Sequence, residues 1–180
     1  MAGNHEFYGH HWTQLLDELR LQAKVHGVHF LEYDSVTIQG IRFLGCTLWT
    51  DFEFFGLSRR SQMMRAAERG LNDFRRIEAD PLMAEHTSVA PRQSKPRLTA
   101  AHTLARHQDS LTWLKSELLQ GEPKNTVVVT HHYPHQNSTH PKWAQDDLTA
   151  IFGSKLPNEV LLGASLLPVA WCRTNGRRNW

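Results

Sequence analysis

Thr126-Val127-Val128-Val129-Thr130-His131-His132-Tyr133-Pro134 is the stretch on which the fold turns. Three consecutive valines between threonines read as a strand over Thr126 to Thr130. An unbroken apolar run of this kind is expected to be buried on both faces, as central strands of α/β domains are. The two histidines fall where the strand ends and a loop begins, His131 to Pro141. Ligands in open α/β sheets bind at the carboxyl ends of strands. A histidine there can hold a metal or act on a substrate, or it can merely cap the strand edge, and taken alone the functional and the capping readings weigh about equally.

Outward from the strand, Leu104, His107, Leu111, Leu114 and Leu118 recur at helical spacing and predict a helix from Thr99 to Gln120. Gly121 and Pro123 stop it. A third helix is expected over Lys142 to Phe152. Upstream, Val36-Thr37-Ile38 and Ile41 to Cys46 flank Gln39-Gly40 and read as a hairpin. Val28 to Tyr33 reads as a short strand before it. Trp12, Leu15, Leu16 and Leu19 predict a helix over Gly9 to Val25, ended by Gly27. Ser61 to Arg69 reads as helical, Gly70 to Ile77 carries no clear pattern, and Asp80 to Arg97, with Pro81, Pro91 and Pro96, reads as a long surface loop. Trp49 to Phe55 is an aromatic-rich loop, better suited to core than to a substrate pocket. The succession of helix, hairpin, helices, strand and helix implies a mixed α/β layout with helices covering a sheet.

Bulk properties narrow the class. The chain has 180 residues, of which 40% are hydrophobic and 21% charged, an ordinary globular balance that excludes disorder. A net charge of +2 is too weak to argue for nucleic acid or an anionic membrane. The pairs Arg59-Arg60 and Arg75-Arg76, with Arg92 to Arg97, read as solvated basic faces rather than a nucleic-acid surface. Two cysteines, Cys46 and Cys172, form neither a disulfide framework nor a zinc ribbon and suit a reducing compartment. The start of the chain has no signal pattern. The longest apolar run, Val160 to Cys172, is broken by Gly163, Ser165 and Pro168 and falls short of the ~20 residues of a membrane span. A soluble cytoplasmic chain is the expectation. Twelve histidines are the one oddity, and histidine is the commonest metal ligand.

A second stretch with chemical potential is Gly3-Asn4-His5-Glu6. Gly3 permits close backbone approach or positive φ. Asn4 offers a neutral carboxamide oxygen, a hard ligand for a divalent cation, although taken alone it reads first as a turn or helix-cap residue. His5 can donate a proton. Glu6 can orient His5 or support the following helix near its N-terminus. His10 and His11 read as surface or partly packed residues inside the first helix, and His135 and His140 as solvated loop residues.

Together, Gly3-Asn4-His5-Glu6 before a helix and Val127-Val128-Val129-Thr130-His131-His132 closing a strand resemble two motif blocks of the calcineurin-like metallophosphoesterases. Asn4 to Gly9, Phe43 to Phe52 and Trp113-Leu114 extend the resemblance to a bacterial branch of that superfamily, over residues 2 to 152. The resemblance implies a two-sheet core with helices on both outer faces. It implies a site with two divalent ions, Mn²⁺, Fe or Zn²⁺, bridged by an aspartate and a hydroxide. Asn4 and His131 would ligate the same metal, His5 would protonate the leaving oxygen or steady the phosphoryl charge, and His132 would touch substrate or support a ligand. Such ions, about 3.5–4 Å apart, generate a hydroxide nucleophile near neutral pH and clamp a phosphoryl group for in-line displacement. The implied activity is hydrolysis of a phosphomonoester or phosphodiester, with a small phosphorylated molecule as substrate.

The chain departs from the family pattern at both ends. The Asp-x-His and Gly-Asp-x-x-Asp blocks expected before Gly3 are lacking, and no Gly-His-x-His block follows the third helix, since no histidine occurs after His140. The expectation is a domain over residues 1–152 that lacks its N-terminal strands and its C-terminal metal-ligand block, followed by a divergent tail over 153–180. That pattern fits a truncated reading of a longer gene. The competing expectation is a non-catalytic remnant that binds a metal or a partner.

Overall fold

The hairpin forms where expected. Strand β1 (Asp34–Ile38) and strand β2 (Ile41–Cys46) pair antiparallel around Gln39-Gly40. Both turn residues have positive φ, 51° and 80°, the conformation that tight hairpin turns demand. The structure is a computed structural model and describes residues 1–80 and 96–168. The valine run is strand β3 (Thr126–Thr130), which lies parallel to β2 with Cys46 opposite Thr130. Strand β4 (Ser165–Pro168) lies parallel to β3, giving one four-stranded sheet in the order β1-β2-β3-β4. The chain is therefore mixed α/β.

β3 is not buried on both faces as its composition led us to expect. Thr126, Val128 and Thr130 are buried, while Val127 and Val129 are only half-covered. One face of the sheet, carrying Leu44, Cys46 and Val128, packs with Leu48, Leu114, Leu156 and Val160. Leu114 comes from helix α4 (Ala100–Leu118), and Val160 from the short helix α5 (Asn158–Leu161). Thr99 opens α4 through a capping box in which His102 takes the reciprocal role, satisfying donors that a helix start leaves free. The segment after Gly153 contributes to this layer: Ser154 and Val160 are fully buried and β4 pairs with β3. Residues 169–180 of the expected tail lie outside the described residues.

A second apolar cluster gathers around the aromatic loop. Trp49, Phe52 and Phe54 are buried with Phe7, Trp12, Leu15, Leu16, Met63, Ala67, Phe74 and Ile77. Trp12, Leu15 and Leu16 belong to helix α1 (Trp12–Val25), and Met63 and Ala67 to helix α2 (Arg60–Gly70). The core reading of this loop holds. Its backbone is unusual, because Leu48, Trp49 and Phe52 take φ of 71°, 55° and 57°. Each such left-handed residue costs about 1–2 kcal/mol, offset by burial of all three side chains.

Three further sequence expectations need correction. The first helix starts at Trp12, not Gly9, because Gly9 has φ 80° and His11 is extended. His10 and His11 therefore precede the helix. Val28 to Tyr33 forms no strand: Tyr33 has φ 55°, and Leu31 packs over Gly45, where an added Cβ would meet its side chain at 2.3 Å. The third helix is replaced by two 3-10 turns, Pro141–Trp143 and Asp147–Ile151. Asp146 explains the break, since its carboxylate accepts from the Leu148 amide and starts a new turn. The unpatterned stretch after Gly70 holds the short helix α3 (Asp73–Arg76). Of the loop expected over Asp80 to Arg97, residues 81–95 lie outside the described residues, and Glu78 bridges to both His11 and Arg97.

Candidate metal-binding site at the strand ends

Parallel pairing of β2 and β3 brings their carboxyl ends to one edge. Two loops leave from that edge, one beginning at Thr47 and one at His131. The His132 amide donates to the Thr47 carbonyl at 3.3 Å. The start of the chain is drawn over the same edge. The Thr47 hydroxyl lies 2.7 Å from both the Ala2 carbonyl oxygen and Glu32 Oε2, and Glu32 also accepts from the Thr47 amide. One hydroxyl proton cannot serve two acceptors at once. Burial pushes the Glu32 carboxyl above the usual carboxylate range, opposed by its hydrogen bonds from Thr47. Glu32 and the Ala2 carbonyl are thus alternative acceptors for the Thr47 hydroxyl.

The two signatures meet here. The His131 Nε2–H donates to Asn4 Oδ1 at 3.1 Å across 127 positions of sequence. Asn4 precedes a 3-10 turn, His5–Phe7, yet makes no side-chain cap hydrogen bond. Its amide Nδ2 instead donates to Asp73 Oδ2 at 2.9 Å. Gly3 is needed for steric reasons. A Cβ on it would lie 2.5 Å from His131 Cε1 and 2.8 Å from Glu6 Oε2. Glu6 accepts from the Gly3 amide at 2.6 Å, so it pins the backbone under His131 instead of orienting His5.

His5 is exposed, its ring 4.8 Å from that of Tyr8. His132 is only 3% exposed, with Nδ1 facing the Thr47 carbonyl at 3.1 Å. Burial, with the neighbouring His131 adding, pushes its imidazole down to about 3, so the ring is neutral. Its ring ends a stacked column: Phe7 on Trp12 at 5.0 Å, Trp12 on Trp49 at 4.8 Å, and Trp49 on His132 at 5.1 Å. These spacings lie within the attractive range for aromatic pairs. A side chain so enclosed supports its neighbours more readily than it reaches a substrate. His135 and His140 take up local roles, each ring accepting from a backbone amide two residues on.

The donor set suits a metal in part. An amide oxygen and an imidazole nitrogen 3.1 Å apart are spaced as two donors can be when both bind one ion at about 2.0–2.2 Å. Among the described residues, no group of three or more His, Cys, Asp or Glu side chains is arranged to hold a metal. The pair therefore matches two donors of one ion, not a complete two-metal centre. An open cavity of about 310 Å³ between α1 and β1, lined by Arg20, Lys24, Phe30 and Ser35 among others, shares no residue with this site.

Asp73 and Tyr8 went unnoticed in the sequence. Asp73 is 2% exposed and receives the Tyr8 hydroxyl at 2.5 Å as well as the Asn4 amide. With Asn72, Arg75 and Arg76 around it, Asp73 carries no local signal of burial. A second buried cluster, Asp51, His107 and Ser154, has the residue types of a hydrolytic triad but not the access. His107 Nδ1 faces the Leu48 carbonyl at 3.2 Å, and Asp51 accepts from the amides of Glu53 and Lys155. Burial pushes Asp51 up and His107 down, favouring the neutral forms of both. The cluster anchors the strained aromatic loop. The basic pairs are engaged locally, Arg59 with Asp147 at 2.7 Å, Arg60 with Glu53, and Arg76 over the Tyr8 ring. No helix among the described residues is long and apolar enough to cross a membrane. Compared with known protein families, curated proteins and solved structures, the chain matches none.

Proposed function

We propose that this chain is a calcineurin-like metallophosphoesterase unit, in which Asn4 and His131 bind a divalent cation at the strand ends and His5 faces the phosphorylated substrate. The observation that carries this reading is the 3.1 Å approach of Asn4 Oδ1 to His131 Nε2, two residues singled out from separate signatures. A bound cation of this kind supplies Lewis-acid polarisation of a phosphoryl oxygen and acidifies water. The chain's own residues have distinct tasks. Asn4 presents a neutral oxygen and His131 a nitrogen. Gly3 lets the backbone pass beneath His131, and Glu6 fixes that backbone. His5, exposed beside Asn4, is the proton donor for a leaving oxygen. The four-stranded sheet would be one layer of the family's two-sheet sandwich, and the cation Mn²⁺, Fe or Zn²⁺. A cytoplasmic location and a small phosphorylated substrate belong to the same proposal.

A second reading is favoured by the short ligand list. With no group of three or more His, Cys, Asp or Glu among the described residues arranged for a metal, the chain would be a metal- or partner-binding remnant without turnover. Hydrolysis of an aryl phosphate in the presence of Mn²⁺ separates the two. The first reading expects turnover that His131→Ala abolishes. A folded, Mn²⁺-loaded protein with no turnover above background favours the second.

A further inference from the structure

Resting on the reading of Asn4 and His131 as metal ligands, we propose that Asp73 is a positioning residue that fixes which end of the Asn4 carboxamide faces the metal. The two ends of a carboxamide have nearly the same shape but opposite chemistry. The oxygen has lone pairs for a cation, and the NH₂ group offers only donors. An Asn free to flip would present the wrong end part of the time.

The geometry removes that freedom. Asp73 Oδ2 lies 2.9 Å from Asn4 Nδ2, and an oxygen acceptor is satisfied only by the NH₂ end. Oδ1 is thereby turned to His131 Nε2. Asp73 is itself held, because its Oδ1 takes the Tyr8 hydroxyl at 2.5 Å. Tyr8 is in turn covered by the Arg76 guanidinium, 4.7 Å from the ring centroid. The backbone repeats the connection, with the Gly9 amide donating to the Arg76 carbonyl at 2.8 Å. At 2% exposure Asp73 faces little competing water, so the hydrogen bond keeps more of its strength than it would at the surface. Partners of this kind behind a metal ligand are typically worth about 10- to 100-fold in metal affinity.

The test is Mn²⁺ binding to the full chain by titration calorimetry, with folding checked by circular dichroism. Asp73→Ala is expected to weaken binding about 10- to 100-fold. Asp73→Asn is expected to restore most of it, since its side-chain oxygen still accepts from Asn4 while the Tyr8 hydroxyl turns to accept from the new NH₂. The Asn4 side-chain amide resonances of the metal-free protein give a second readout. They should be displaced in Asp73→Ala and retained in Asp73→Asn. If Asp73→Ala does not fold, Tyr8→Phe carries the test, with an expected loss of about tenfold; an undiminished affinity there overturns the proposal. Wild-type binding that His131→Ala abolishes but Asp73→Ala leaves unchanged overturns the role of Asp73 alone. A wild type that binds no Mn²⁺ overturns the metal reading and this inference with it.

Discussion

Replacing Gly3 by alanine probes the point where the two ends of the site touch. The added methyl would lie 2.5 Å from His131 Cε1 and 2.8 Å from His131 Nδ1 and Glu6 Oε2. Relief to an ordinary carbon contact of about 3.5 Å needs a shift of about 1 Å. The backbone is poorly placed to yield, since Glu6 holds the Gly3 amide and Thr47 meets the Ala2 carbonyl. The His131 ring must move instead, which opens its 3.1 Å approach to Asn4. Overpacking of this kind costs about 1–3 kcal/mol, which at this chain length lowers Tm by roughly 2–12 °C. Bringing the ring back to bind a cation meets the same strain, so Kd for Mn²⁺ should rise roughly 5- to 150-fold. Gly40→Ala is the control. Its φ is 80° with nothing within 4 Å of the added Cβ. It should cost about 1–2 kcal/mol of stability and leave Kd unchanged. Thermal melts and calorimetric titration of both variants decide the matter. A Gly3→Ala protein with wild-type Tm and wild-type Mn²⁺ affinity would refute the reasoning.

Other perturbations test separate parts of the molecule. Burial raises the Glu32 carboxyl above its unfolded value, so the folded state holds the proton more tightly. The corresponding stability is complete below the unfolded pKa of about 4.3 and is lost as pH rises through the folded value. Glu32→Gln, which cannot ionise, should flatten that decline in denaturant melts from pH 4 upward and raise Tm at neutral pH; an unchanged pH profile argues against a raised Glu32 pKa in the folded state. Leu114→Ala empties a fully buried position between α4 and the sheet and should cost about 2–5 kcal/mol in urea unfolding. Thr50→Val removes a buried hydroxyl that sits 2.8 Å from the Ala150 carbonyl, 2.7 Å from that of Gly153 and accepts from the Phe52 amide. It should cost about 1–3 kcal/mol and speed hydrogen exchange around Phe52 and Gly153; unchanged exchange there would deny Thr50 its role as a clamp.

Local signals carried most of the secondary structure. The spacing of Trp12, Leu15 and Leu16 marks the buried face of α1, whereas of the stripe expected in α4 only His107 and Leu114 are buried, Leu104, Leu111 and Leu118 are half-buried, and Ala100, His102, Thr103 and Ser110 complete the buried face; Gln39-Gly40 marks its turn through backbone conformation alone. Errors arose where a packing contact or a local side-chain cap overrules the periodic pattern. Val28 to Tyr33 looks like a strand, but Leu31 is committed to packing on Gly45. Lys142 to Phe152 looks helical, but Asp146 caps a second turn inside it. The site was legible as two separated motifs, because histidine at a strand end and asparagine after glycine are each chemically pointed. Their supports were not. Asp73 acts on Asn4 from 69 residues away, and no local pattern distinguishes it from a helix-cap aspartate.

The closing of residue 4 on residue 131 has a consequence for folding. A flexible chain meets an entropic cost that grows with the logarithm of the loop it closes, and here the loop spans 127 positions. The hairpin and α4 involve near neighbours and can form early, whereas the Asn4–His131 contact needs β2 and β3 already paired and the amino-terminal residues laid over their ends. A cation that needs both donors has no partner in the unfolded chain. Its binding would then favour only the finished fold, raising stability by mass action as its concentration rises above Kd. Metal added during refolding would therefore report the last step of assembly rather than the first.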